Sequence, residues 1–537
     1  MGRHLIVFAS VALTGRSQCA ISKRVKAWAH SSQAPCQVLF CSISLHTNPE
    51  GLRRQPSCAC SLNSSWRSTA SRGIFLMPET SASNKSFYMR HRLAWLDQLA
   101  YELYRVTGRN QLMQCLWLYD QGVNLEALQK TIERLAALSF NRLIEPSVLP
   151  WGRPRWVKPC QAPAPINIPT GSLPRSQLLQ WANRHARTPI DPVRGPAWRV
   201  AVQEFDDGTT AVSFLGSHLV LDGMGALRAI ETAAMGIELP NPYLRQGARS
   251  GWAACMADAL QILSDVPKTL FALFKIVQTS LLGPSLQNQS ATTPPPSTSS
   301  TEHMFVDLPS VAVTLDLQIW QGCARRLGGR TTALLPAFVA SLAAQMGRRR
   351  ASDGSVSLLV PFNTRYSLND DRAIAIEFRT MTITPDGLPS NLRRMDEPMK
   401  AVLQNKNGAT DTLTLSLPAI AWMPSLLSKA LVNQLFMYND ELPVSCSNLG
   451  TLPEGLGRID GKRCTHVLTR AVDTKVTQQE LDRSRGHLVV VASRFGKSIS
   501  LCIEAYQPGP SPTTVESLRQ MVEQTLADYG MQAEIEA

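Results

Sequence analysis

One histidine stands where it could move a proton. Residues 217–223 read Ser-His-Leu-Val-Leu-Asp-Gly, at the end of a run rich in β-formers and just before a helical pattern. A histidine at that junction projects into whatever cleft the strand end borders. Its imidazole, titrating near about 6.5 when unperturbed, is neutral around pH 7 and able to act as a general base. Asp222 follows His218 by four residues. That offset does not suit the orienting acid of a serine triad. It suits an acid that holds the turn by an ion pair to a distant arginine. Gly223 permits close backbone approach. The competing reading is a buried structural histidine beside an N-capping aspartate.

The elements that would position this turn are legible on either side. Residues 196–205 and 209–221 read as two strands joined at Asp206-Asp207-Gly208, a hairpin, and 223–235 as a helix. Upstream, Leu125, Leu128, Ile132, Leu135 and Leu138 recur at helical spacing over 125–138. Residues 251–282 predict two helices, the second opening at Asp265 and Pro267. Leu263, Leu270, Phe274, Val277 and Leu281 share one face of it; Asp258, Asp265, Lys268 and Lys275 fall on another. That face either packs on its own domain or lies on a membrane or lipid-droplet surface. Residues 283–302, dominated by Pro, Ser and Thr, predict a linker. Beyond it come a helix at 331–346, strands at 355–362 and 373–383, a hairpin at 487–506 turning at Phe495-Gly496-Lys497, and a helix at 513–529. Both halves mix strands and helices in an α+β manner. The expected divisions are an N-terminal extension at 1–76, a first subdomain at 77–250, amphipathic helices and linker at 251–303, and a second subdomain at 304–537.

Composition narrows the function. The chain has 537 residues, long enough for two domains with sizeable cores. It carries 54 basic and 41 acidic residues, a net charge of +13. Nine of the basic residues, against the single acid Glu50, precede residue 77, so the excess is concentrated there rather than in a stripe on the fold, and a nucleic-acid partner is not expected. Five of the twelve cysteines also lie there, and no CxxC occurs, which argues against zinc, iron–sulfur and disulfide frameworks. The expected setting of the body is the reducing cytoplasm. The first 76 residues read as a signal or transit segment, or as sequence upstream of a start at Met77 or Met89. No uncharged apolar run reaches 18 residues, the length of a membrane-spanning helix. No GxSxG supports a nucleophile elbow. Gly496-Lys497-Ser498 ends like a phosphate loop, but Val491 stands where the first glycine is required. Arg348-Arg349-Arg350 reads as a solvated helix terminus, or as a contact for the phosphates of coenzyme A.

The residues around His218 resemble the HHxxxDG signature of the condensation-domain and chloramphenicol-acetyltransferase-like acyltransferases. Other stretches resemble one branch of that superfamily, the bacterial wax ester synthase/diacylglycerol acyltransferases. Leu96-Asp97 matches its leading Leu-Asp, Pro196-Ala197-Trp198 its Pro-Leu-Trp, Val360 to Arg365 its Val-Pro-x-x-x-Arg, and Ser447-Asn448-Leu449-Gly450 its late Asn-x-x-Gly. The resemblance spans roughly residues 90–530. Ser217 stands where the family has its first histidine, and His218 matches the second, catalytic one. The resemblance implies two chloramphenicol-acetyltransferase-like subdomains forming a pseudo-dimer with an interfacial tunnel. It implies acyl transfer from acyl-CoA, a co-substrate rather than a bound cofactor, to an alcohol or diacylglycerol hydroxyl, or alternatively from an acyl carrier protein to a polyketide or glycolipid hydroxyl. A degenerate, non-catalytic member of the fold is the remaining alternative. His218 would be the base, Asp222 would fix the loop with Arg365 as partner, Gly223 and Asn448 would meet the oxyanion, and Ser217 and Trp198 would contact substrate. No metal is implied.

Overall fold

The computed structural model describes residues 91–249, 251–282, 305–365, 367, 370–404, 417–419 and 443–537, with side chains through residue 274 of the 251–282 helix. The extension at 1–76, both alternative starts and the linker at 283–302 lie outside them. Residues 1–77 and 78–537 are separate units, and the described residues all belong to the second.

The elements run in chain order α1 (Trp95–Thr107), β1 (Asn110–Tyr119), α2 (Leu125–Ala137), β2 (Leu143–Glu145), β3 (Arg155–Val157), α3 (Leu178–Ala186), β4 (Trp198–Glu204), β5 (Thr210–Ser217), α4 (Gly223–Ala234) and α5 (Gly251–Leu282). After the linker come β6 (Ser310–Asp316), α6 (Leu317–Arg326), α7 (Thr331–Gln345), β7 (Val356–Asn363), β8 (Ile376–Ile383), α8 (Asp396–Gln404), β9 (Val444–Thr451) and β10 (His466–Thr474). The chain closes with α9 (Gln478–Arg483), β11 (His487–Phe495), β12 (Ser498–Tyr506), α10 (Val515–Asp528) and β13 (Glu534–Glu536).

Two sheets organise this mixed α+β architecture. The first has four antiparallel strands in the order β10-β1-β5-β4, the second seven in the order β13-β6-β12-β11-β9-β7-β8. Parallel pairing of β11 with β9 and of β9 with β7 breaks the antiparallel pattern of the second. Helix α7 is apolar on all sides, and every residue from Ala333 to Leu342 is nearly or fully buried beneath that sheet. Trp117, Phe140, Trp198 and Phe214 form the core of the first. A third cluster joins them: Leu116, Ala201 and Leu468 of the first sheet meet Leu178 and Trp181 of α3 together with Ala312 and Cys502 of the second.

The linker does not divide the sheets, because β10 comes from the second half of the chain and pairs along β1 from Asn110↔Thr474 to Leu118↔His466. It also touches the second sheet, where Thr469 Oγ1 donates to Ser493 Oγ at 3.0 Å and Ser500 Oγ donates to the Val467 carbonyl at 3.0 Å.

Three expected elements differ. The strand expected at 209–221 ends at Ser217, where the Val220 amide turns back onto the Ser217 carbonyl, and the one expected at 373–383 begins at Ile376, because the amides of 373–375 donate to the Asp97 and Asp222 carboxylates instead of a ladder. Helix α5 is continuous rather than broken at Asp265 and Pro267. Pro267 is exposed, so the Leu263 carbonyl that loses its partner faces solvent. Asp265 caps nothing; its carboxylate accepts from Gln261 Nε2 at 2.6 Å. Arg348 is not solvated: it is buried, donates to the Arg485 carbonyl at 2.8 Å, and burial lowers its pKa to about 10.

Candidate functional site

The turn after β5 is built by local bonds first. The ladder between β5 and β1 ends at Ser217↔Leu112, and the His218 amide extends it by donating to the Gln111 carbonyl at 2.9 Å. The Val220 amide then closes a turn onto the Ser217 carbonyl at 3.2 Å. Asp222 caps α4, its Oδ1 accepting from the Gly225 amide at 2.7 Å. His218 is thereby held between a strand end and a helix start.

Long-range bonds then fix the turn. Arg365 Nη2 donates to Asp222 Oδ2 at 2.7 Å, and both side chains are buried. The Ala375 amide donates to the same oxygen at 2.9 Å, and the Asp222 amide donates to the Ala373 carbonyl at 2.9 Å. Asp97, wholly buried, accepts from the Ala373 and Ile374 amides at 3.0 and 2.8 Å. Arg142 bridges the same two segments, donating to the Val220 carbonyl at 2.9 Å and to the Asp371 carbonyl at 2.6 Å. Its guanidinium lies 3.8 Å from the Trp156 ring centroid. Two carboxylates and two arginines thus lay residues 370–375 of the second half across the histidine turn of the first.

His218 lines a cavity of about 180 Å³. Met113, Phe214, Leu227, Ile230 and Phe378 supply apolar wall; Gln111 and Asn448 supply polar groups. Burial lowers the His218 pKa below the usual imidazole value, with Asp222, Asp473 and the residue's own carbonyl opposing the shift. The ring is therefore neutral at physiological pH. Cys115 also lines the cavity, but burial raises its pKa well above the ordinary thiol value, so it stays protonated. Among the described residues no serine or cysteine hydrogen-bonds the His218 ring. This arrangement can take a proton from a ligand hydroxyl, and among the described residues it has no nucleophile of its own to activate. The described residues hold no His/Cys/Asp/Glu group able to bind a metal.

Of the residues singled out from the sequence, His218, Asp222, Gly223 and Asn448 meet at this cavity. Asn448 Oδ1 accepts from the Gly450 amide at 2.9 Å, which leaves its Nδ2 as the group able to donate to a ligand. A Cβ on Gly223 would come 3.3 Å from Leu449 Cδ2, so glycine keeps the wall from closing in. Arg365 sits behind the cavity, on Asp222. Trp198 and Ser217 do not line it. The Trp198 indole is in the core, where Nε1 donates to Asn141 Oδ1 at 3.1 Å and the ring stacks on Phe214, which does reach the cavity. Ser217 points to the other side of its strand, its Oγ donating to Asn110 Oδ1 at 2.7 Å. There Asn110 borders a separate cleft of about 530 Å³.

Three contributors were not assigned a role from the sequence. Asp97 belongs to the leading Leu-Asp match but was given no role, and in α1 it sits as a first-turn acid; Arg142 carries no motif. Gly225 leaves room for the cap: a Cβ there would lie 2.8 Å from Leu221 Cδ1 and 3.1 Å from Asp222 Oδ1, so the leucine and the capping carboxylate would have to shift. Its place two residues after the Asp-Gly pair was the available signal.

No family model and no curated protein matches the chain. Among solved structures it is similar to the first condensation domain of the CDA synthetase, at 12% identity over 83% of this chain and 99% of that one, with a TM-score of 0.48. It is similar to the starter condensation domain of rhizomide synthetase at 12% identity, over 82% and 95%, with a TM-score of 0.40. A third match concerns condensation-domain-mediated chain release from the enacyloxin polyketide synthase, at 12% identity, over 82% and 84%, with a TM-score of 0.41.

Proposed function

We propose that the protein transfers an acyl group from a thioester to a hydroxyl, with His218 as general base. The observation that carries this reading is a neutral imidazole facing an apolar cavity, on a turn locked by Asp222 and Arg365, with no serine or cysteine among the described residues hydrogen-bonded to its ring.

The mechanism follows from these groups. His218 takes the acceptor's hydroxyl proton as that oxygen attacks the thioester carbonyl carbon. A C–O bond forms, and the carbonyl electron pair moves to oxygen. Asn448 Nδ2 and the amide at Gly223 are the donors assigned to the resulting oxyanion. The oxyanion then collapses, the C–S bond breaks, and the leaving sulfur recovers the proton from the imidazolium. No acyl-enzyme forms. Asp222 and Arg365 position the loop and touch no reacting atom.

The apolar wall suits a fatty chain, and the sequence resemblance suggests a long-chain alcohol or diacylglycerol as acceptor. The donor is a pantetheine thioester, whether acyl-CoA or acyl carrier protein. The cavity at His218 and the cleft at Asn110 lie on opposite faces of β1, and we assign them to the two substrates as the mouths of one passage. Free thiol released from palmitoyl-CoA, with and without hexadecanol or diolein, tests the reading. Acceptor-dependent release that disappears in His218→Ala supports it. Release only from an acyl carrier protein identifies that donor. No release from either, with every acceptor, leaves a non-catalytic fold and ends the proposal.

A further inference from the structure

Helix α5 is mounted with its polar side inward. Ala254, Asp258, Gln261, Asp265, Thr269 and Ala272 are buried. Asp258 pairs with Arg155 Nη2 at 2.8 Å and Arg249 Nη2 at 2.6 Å, and accepts from Ser147 Oγ at 2.6 Å. Gln261 Oε1 accepts from the Arg153 amide at 3.0 Å, and Arg153 Nη1 lies 3.8 Å from Asp265. The opposite side carries Trp252, Met256, Leu260, Leu263, Leu270 and Phe274, all exposed, Trp252 at 78% and Leu263 at 67%. At about 100° per residue these six fall within an arc of roughly 80°. A soluble surface helix shows the reverse arrangement.

From this geometry we infer that the outer face of α5 seats on an anionic bilayer surface. The charge distribution selects that occupant. Both acids of the helix are turned inward onto arginines, so its outer side presents no carboxylate, while Lys268 is exposed on the flank between the stripe and the buried side. Val148 and Trp151, in the loop that grips the inner side, are exposed as well. Tryptophan at either place has an apolar ring and a polar N–H, which suits the headgroup boundary. The helix is about 48 Å long at 1.5 Å per residue. It lies in the interface plane; no single described helix is long and apolar enough to cross a membrane. A lipid-lying face would put the protein where hydrophobic acceptors are dissolved, but the inference stands on α5 and not on the catalytic reading.

Flotation of the full chain with phosphatidylcholine vesicles containing about 30% phosphatidylglycerol tests it. The wild type should float with these vesicles and less with pure phosphatidylcholine. Leu263→Glu combined with Leu270→Glu should lower the bound fraction at least about tenfold, with the melting temperature unchanged. Should that pair fail to fold, Lys268→Glu, a change of one exposed charge, should still weaken binding several-fold and selectively for the anionic vesicles. A wild type that stays unbound overturns the inference. So does a variant that floats equally well, or a solution dimer that the substitutions disperse in the absence of any vesicle binding.

Discussion

At the scale of single residues, the site pairs one mobile proton with several fixed charges. His218→Ala should lower acyl transfer by about 10²–10⁴-fold, the usual share of a general base, with the melting temperature unchanged. Because burial lowers the His218 pKa, the base form predominates at neutral pH. Acyl transfer should therefore be flat through neutrality and fall tenfold per pH step only below a midpoint under about 6.5. A midpoint above that value would mean that the ionised neighbours outweigh burial. Asp222→Ala strands a buried Arg365 guanidinium and should cost about 3–5 kcal/mol, read by urea unfolding. Asp222→Asn keeps a helix cap and should cost less. Asp97 titrates differently. Burial raises its pKa to about 6, against the hydrogen bonds from Ala373 and Ile374. A carboxyl raised in the fold contributes stability that is present below its unfolded value and lost as pH rises through the folded one. The wild type should therefore gain on Asp97→Asn as pH is lowered from about 7.5 to 5, measured as the difference in unfolding free energy.

At the scale of elements, what the sequence revealed was what neighbouring residues decide. The β4–β5 hairpin, the Asp222 cap and the register of β11 with β12 all follow from turn residues and alternation within about twenty positions. The histidine turn was legible for the same reason, since strand, histidine, cap and helix are consecutive. The ion pair from Asp222 to Arg365, 143 residues away, could be named only because a second motif marked the arginine. Asp97 had its motif but no visible partner, since the amides it holds are 276 and 277 residues away and carry no side-chain signal. Helix α5 shows another limit. Periodicity identified an apolar face and a polar face but could not say which would meet the protein, because that depends on arginines from distant loops seeking carboxylates. Trp198 failed in the opposite sense: an aromatic beside the site in sequence became its support, one ring removed from the cavity.

At the scale of the whole molecule, the two halves are interlocked rather than merely apposed. Strand β10 gives the first sheet an edge that residues 91–282 lack. Residues 370–375 deliver amides to Asp97 and Asp222, and a shared apolar cluster joins both sheets through α3. Division at the linker should therefore leave one particle. With a specific protease site placed within 283–302, cleavage should yield two fragments that co-elute in gel filtration and keep the melting temperature of the intact chain within a few degrees. They should part only at the urea concentration that unfolds the protein, because no surface between them can open without stripping β1 of its neighbour. Fragments that separate in buffer would show that β10 contributes little and that each half closes its own sheet. Expression of either half alone should give insoluble protein, since β1 would present an unpaired edge and Asp222 would lose Arg365. Acyl transfer surviving the cut would show that the histidine turn depends on these non-covalent ties and not on chain continuity through the linker.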